Sequence, residues 1–317
     1  MHEGRPARAS FVVLGPARLP GLAGLRWPVA PIDARRSAYD APIMSVNPEL
    51  RSLDIDIPAQ PDALVKLSLL LAEDEINLGA AAELIESDMA LASAVMKAVN
   101  SSLYGLRGRV QSVMQAITYL GMREVAAITF EMGLRAAFPP APELEPLWQR
   151  AGLRGLLMGR LAQKMSLDAW GAHSAGLFEE CGKAVLFRHA SDHYRAMLRA
   201  AGSDSELAQL EHAGFGVSHD ALGAALCESW GLGPASVASV RHHVQVQADG
   251  VLPPGLASGR RALLALSALV QGLLMAPSRL DDVATVVAPQ ADLDATLLLR
   301  AVRQIKEQLD EASAHGR

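Results

Sequence analysis

"AAELIESDMALASAVMKAVNSS", residues 81–102, carries apolar side chains at a helical interval, with Leu84, Ile85, Met89, Ala92, Met96 and Val99 recurring about every 3.6 positions. Asp88, in the middle, is placed to start a fresh helix, its carboxylate accepting the amides that a first turn leaves unpaired. Asn100, Ser101 and Ser102 then end it. The pattern continues on the C-terminal side. Ser112 offers a cap before "VMQAITYL", Gly121 closes that helix, and residues 124–137 follow with Val125, Ile128 and Leu134 on one stripe. Pro139, Pro140, Pro142 and Pro146 interrupt the run and separate two helical groups, at about 58–138 and 146–250.

The second group contains "LWQRAGLRGLLMGRLAQKM", "HSAGLFEECGKAVLFRHASDHYRAML", "SELAQLEHAGF", "SHDALGAALCESW" and "PASVASVRHH". Each reads as a helix, capped by Ser or Asp or opened by Pro. After Pro253 and Pro254, residues 251–317 supply an apolar helix and an amphipathic one at about 292–312, expected to pack on the rest. No repeat of fixed period occurs, and alternating β-branched runs are too few for a sheet. The expected class is all-α.

Composition agrees. The 317 residues are 50% hydrophobic, 4% aromatic and 20% charged, rich in the Ala and Leu that lose little freedom in a helix. The net charge is −5; residues 1–43 hold six Arg against Glu3, Asp33 and Asp40, so they carry +3 and the remainder −8. An acidic body argues against nucleic acid as a partner. Residues 1–50 have neither a signal-peptide core nor a helical period. They are expected to be disordered or a spurious extension, with Met44 as an alternative first residue. Cys181 and Cys227 form no Cys-x-x-Cys pattern, which fits free thiols in a cytoplasmic protein. The longest apolar run, "ALLALSALVQGLLMA" at 262–276, is short of the ~20 residues of a membrane span and contains Ser267 and Gln271. No membrane association is expected.

The chemistry-bearing residues crowd the second group. Its histidines include His173, His189, His193, His212, His219, His242 and His243. His219-Asp220 opens one helix and His242-His243 closes the next, so a hairpin would bring them together. The same residues also suit purely local roles, Asp220 at a helix start and His at a helix end.

In both groups the chain resembles the HDOD family, bacterial relatives of the HD and HD-GYP metal-dependent phosphohydrolases. The first group carries "IP" at 57–58, "IESDMAL" at 85–91, "VNSSLYG" at 99–105 and "AITYLG" at 116–121; the second, in order, "LW" at 147–148, "AGLFEECGK" at 175–183, "SHDALGAALCESWGL" at 218–232 and "HH" at 242–243. The resemblance covers roughly residues 55–245 within an expected domain of 51–250, and it implies the multi-helix HDOD/HD-type fold.

It also exposes departures. A phosphohydrolase relative would place His near Arg150, His-Asp at Glu179-Glu180, and further His at positions like His219, His242 and His243. Here the later half of that set is kept and the earlier half lost. A guanidinium cannot deprotonate to become a ligand and repels an incoming cation. At 4 Å and an effective dielectric of about 20, a divalent ion would meet roughly 8 kcal/mol of opposition from it. Arg150 is therefore expected to pair with Glu179 or Glu180 and replace the metal as a strut, with only one Glu making the pair because adjacent residues on a helix diverge by about 100°. Lys183, which could hold a phosphate beside a metal, is expected to be an ordinary exposed Lys. Trp148, Trp230, Asn100 and Ser101 read as structural.

The resemblance implies a non-catalytic signalling or regulatory module, not an enzyme, with no cofactor and a signalling protein partner met in trans, since no receiver, kinase or cyclase pattern flanks the match. Two alternatives stay open. One is a metal-dependent phosphohydrolase or phosphodiesterase using Glu179 or Glu180 with His219 and His242 or His243. The other is a pocket that binds a nucleotide messenger through Lys183, Arg150 and the remaining His without hydrolysing it. Arg150, Glu179, Glu180, Lys183, His219, Asp220, His242 and His243 are thus the candidate residues of a vestigial pocket.

Overall fold

The computed structural model describes residues 55–315 except 72, 74, 102, 103, 105, 107 and 108. The expectation for residues 1–50 lies outside the described residues, as do parts of "VNSSLYG". Every regular element among the described residues is helical.

Among the described residues, five helices form the first group: α1 (Asp62–Leu71), α2 (Leu78–Ser87), α3 (Met89–Val99), α4 (Val113–Leu120) and α5 (Met122–Ala136). Asp88 caps α3 as expected, its Oδ1 accepting from the Ala90 and Leu91 amides at 3.0 Å, and Ser112 caps α4. Gly121 sits at φ 85°, in the left-handed region, which lets α5 leave α4 at once. The apolar stripe is phased differently from the sequence reading. The cap at Asp88 starts a new helix, so the periodicity does not run through it. Met89, at the first position, is 86% exposed, and the buried face of α3 is Leu91, Val95 and Val99. These pack with Leu67, Ile85, Ile117 and Val125 into one core.

The second group begins after a 3-10 turn at Pro142–Leu144 with α6 (Glu145–Lys164), then α7 (Ala169–Phe178), α8 (Cys181–His189), α9 (Ser191–Ala200), α10 (Asp204–Phe215), α11 (His219–Ser229) and α12 (Pro234–Asp249). "HSAGLFEECGKAVLFRHASDHYRAML" is therefore not one helix; it breaks at Glu179-Glu180 and again at Ala190. Phe130 of α5 stacks edge-on against Trp170 and Trp230, so α5 is the wall the two groups share. The indole of Trp230 also donates to the Pro58 carbonyl at 2.9 Å, tying the segment before α1 to the second group.

Beyond these lie α13 (Ser258–Met275), α14 (Leu280–Gln290) and α15 (Ala295–His315). They share a core with α6 and α7 through Leu157, Met158, Leu161 and Ala175. None of the described helices is long and apolar enough to cross a membrane.

Glycines set two close crossings. On α6 and α7, a Cβ at Gly176 would lie 2.9 Å from the Arg154 carbonyl oxygen. On α8 and α11 the approach is tighter still: a Cβ at Gly182 would lie 1.8 Å from the His219 carbonyl oxygen. Only a residue without a side chain fits there, and the contact fixes where His219 begins its helix.

Candidate functional site

Glu179 and Glu180 occupy the break between α7 and α8, where neither helix continues, and both carboxylates are buried. The break is what allows both to turn toward α6. Residues adjacent on a continuous helix point about 100° apart, which is why the sequence reading allowed an ion pair to only one of them.

The buried cation that meets them is Arg154. Its Nη1 donates to Glu179 Oε2 at 3.0 Å, and Nη2 stands 3.7 Å from Glu180 Oε1. Arg150, one helical turn earlier, also reaches Glu180, at 3.3 Å, but its side chain is 49% exposed against 3% for Arg154. The expected strut exists, carried chiefly by a residue four positions on from the one singled out. Arg154 Nη2 further donates to Gln271 Oε1 of α13 at 2.6 Å. Gln247 of α12 donates to Glu179 at 3.0 Å and to Ser267 of α13 at 2.9 Å.

Lys183 is buried, contrary to the expectation of an exposed side chain. The Gly182 crossing draws its helix against α11, and its ammonium is held by Glu180 at 3.0 Å and Asp204 at 2.7 Å. Burial disfavours the charge on Arg154, but Glu179, Glu180 and Asp204 outweigh it and hold the guanidinium above its ordinary pKa. Lys183 is raised in the same way, by Glu180 and Asp204. Burial pushes the Glu180 carboxyl up, yet Lys183, then Arg154 and Arg150, win and bring it down to about 2. The cluster sets three basic side chains (Arg150, Arg154, Lys183) against three carboxyl groups (Glu179, Glu180, Asp204).

The histidines border the same cluster, where Glu179 and Arg154 act on His243. His219 is wholly buried; its Nδ1 lies 2.6 Å from Glu211 Oε2, and Tyr194 donates to the other oxygen of that carboxylate. His243 is also buried, its Nδ1 donating to the Val240 carbonyl at 2.7 Å, and the two imidazole centroids are 5.6 Å apart. Burial holds the His243 pKa below its ordinary value. His242 points elsewhere and is only half-buried. The His pair does not close its helix, because α12 runs on to Asp249 and brings Gln247 one turn beyond His243. Asp220 faces outward from the cluster, paired with Arg241 and Ser218.

The structure therefore gathers Arg154, Glu179, Glu180, Lys183, His219 and His243, leaves Arg150 at the rim, and sends Asp220 and His242 away. Arg154, Asp204, Glu211, Gln247, Ser267 and Gln271 were missed. Two of them had a signal: Ser267 and Gln271 are the polar residues inside an otherwise apolar helix, and it is they that reach the cluster. Arg154 lay in plain view as an Arg between Gly152 and Gly155 in an apolar stretch.

Bare atoms remain. Glu179 Oε1 and His219 Nε2 are buried and lack a partner among the described residues. Both imidazoles present an Nε2 with Nδ1 engaged, the arrangement a metal-ligating His adopts. The guanidinium on Glu179 Oε2, however, repels a second cation approaching that carboxylate. Among the described residues no three His, Cys, Asp or Glu side chains form a metal-holding group. An anionic ligand would have to displace Glu180 and Asp204 from Lys183.

Known proteins resemble this one. The model of the HDOD domain matches residues 57–246. An uncharacterized protein of Treponema pallidum (strain Nichols) is 26% identical over 193 residues, covering 59% of this chain and 37% of its own length, so the chain spans well under two thirds of that relative. Among solved structures, a Shewanella amazonensis SB2B protein described as a proposed phosphohydrolase superposes with a TM-score of 0.61 at 16% identity, over 85% of this chain and 97% of the other. A proposed signal transduction protein of Marinobacter aquaeolei VT8 gives 0.63 at 21%, over 83% and 59%. At these identities the superpositions speak for the fold.

Proposed function

The chain belongs to the HDOD family, and from that premise we propose that it is a non-catalytic regulatory module that acts in trans by binding a signalling protein partner. One observation carries the reading: a buried guanidinium, Arg154, is bonded to Glu179, the position at which the resemblance places a metal-binding His in the related enzymes. It cannot lose its proton to become a ligand. Its repulsion of a divalent ion, roughly 8 kcal/mol at about 4 Å and an effective dielectric near 20, works against loading of the remaining His and Glu. The Gln247 and Gln271 bonds hold it there. The signal transduction description of the Marinobacter protein supports the same class.

A second reading has its own observation. His219 Nε2 and Glu179 Oε1 are each buried without a partner among the described residues, and the Shewanella protein carries a phosphohydrolase description; a surviving metal hydrolase would use these atoms. Turnover of bis(p-nitrophenyl) phosphate with manganese separates the two. The regulatory reading expects the same background rate from wild type and His219→Ala. Turnover by wild type that His219→Ala abolishes would establish the hydrolase.

A further inference from the structure

The first helical group carries a second concavity, far in character from the charged cluster. Met96 and Lys97 of α3 and the Asn100 that caps it line, with Leu106, Arg109 and Val110 of the following connection, a cavity of about 860 Å³. Asn100 stitches its walls together: its amide donates to the Met96 carbonyl at 2.8 Å and the Val110 carbonyl at 3.0 Å, while its Oδ1 accepts from the Val110 amide at 2.8 Å. These bonds fix the end of α3 to Val110 at one side of the groove.

Its lining has two characters. Met96, Leu106 and Val110 are apolar; Lys97 and Arg109 are exposed cations, and among the described residues neither is in an ion pair. Residues 93–111 contain Lys97, Arg107 and Arg109 and no Asp or Glu, in a chain whose net charge is −5. Lys97, in the last turn of α3, also answers that helix's dipole. Arg109 lies on no helix and has no such role. Among the described lining residues there is no aromatic side chain for a nucleobase to stack on.

We propose that this groove is the docking site for an acidic, amphipathic segment of a protein partner, with apolar side chains over Met96, Leu106 and Val110 and carboxylates against Lys97 and Arg109. Charge complementarity argues for that occupant. The inference rests on the regulatory reading above and gives the partner's segment its chemistry.

The test is fluorescence anisotropy with the whole chain and a fluorescein-labelled peptide of Glu-Leu heptads, with the Lys-for-Glu peptide as its counterpart. The acidic peptide is expected to bind, to weaken with salt, and to lose about tenfold or more in affinity to the Lys97→Glu/Arg109→Glu double variant. The basic peptide is expected not to bind. Both side chains are exposed, so the variant should melt like the parent; Lys97→Gln/Arg109→Gln gives a milder second reading. Equal affinity for the double variant, equal binding of the basic peptide, or no binding of the acidic peptide up to about 1 mM would overturn the proposal. So would its displacement by cyclic di-GMP. Failure here is distinct from failure of the regulatory reading, which would appear as phosphodiester turnover whatever the peptide does.

Discussion

Lys183 and Lys97 show what separates the interior of this molecule from its first-group groove. Lys183 is buried and held by two carboxylates. Lys97 is exposed, with no ion pair among the described residues. Around Lys183 each cation is committed to an acid of the same chain, and the cluster's charges balance; around Lys97 the charge is left over. A buried charge must be paired, because removing one partner strands the other away from water. An exposed cation has no such obligation and can wait for a partner from elsewhere. The interior cluster thus reads as a device for holding helices, and the groove as one for meeting another molecule.

The largest effects should come from breaking the interior. Arg154→Ala leaves Glu179 buried with only Gln247 for company, and is expected to cost about 3–5 kcal/mol in urea unfolding. Arg150→Ala, half-exposed one turn away, should cost about 1 kcal/mol or less. Equal losses from the two would refute the distinction drawn between them. Replacing Arg154 and Glu179 together with Met and Leu should restore most of the loss, since an apolar pair of similar volume needs no counter-charge.

Gly182→Ala is next. With the His219 carbonyl 1.8 Å from the added carbon, α8 and α11 must separate, at about 3 kcal/mol. The His219 ring resonances should shift with them; a variant of parental stability and spectrum would show the crossing to be looser than described.

A pH experiment sharpens the picture at the wall between the groups. Burial holds His173 down to about 4 from 6.5, while burial pushes Glu131, which abuts Gly152, up to about 7 from 4.5. The unfolded chain binds the extra proton at His173 between pH 4 and 6.5, so that contribution is complete above 6.5 and is lost as pH falls toward 4. At Glu131 the folded chain holds the proton, so that contribution is complete below 4.5 and is lost as pH rises through 7. Across pH 5–6 the two slopes, each about 1.4 kcal/mol per pH unit, oppose each other. The contributions of this pair should therefore nearly cancel there. His173→Leu should uncover a decline with rising pH and Glu131→Gln a rise; unchanged profiles would contradict the assignments. The smallest effect belongs to the groove, where Lys97→Ala and Arg109→Ala should change stability by no more than about 0.5 kcal/mol.

These contrasts also mark what the sequence could tell. Helix starts were legible because Asp88 and Ser112 act locally, within three residues of the amides they cap. The buried face of α3 was misphased because the angle at which one helix leaves another is set by packing, which periodicity does not record. At the site, Glu179-Glu180 could be read as a departure only against the family resemblance. The identity of the buried guanidinium was not, since Arg150 and Arg154 lie on the same face of α6 and only the depth of the crossing decides between them. Lys183 looked like any surface Lys because the contact that buries it runs through Gly182, to residues more than thirty positions away. Gln247 and Gln271 could not be placed beside Glu179 without knowing how α12 and α13 pack.

Electron paramagnetic resonance during manganese titration tests the exclusion of metal most directly. With Arg154 seated on Glu179, the free Mn(II) signal should grow in proportion to the metal added, in wild type as in His219→Ala. Loss of one equivalent of signal in wild type, restored by His219→Ala, would mean that an ion enters beside the guanidinium, and the regulatory reading would fall.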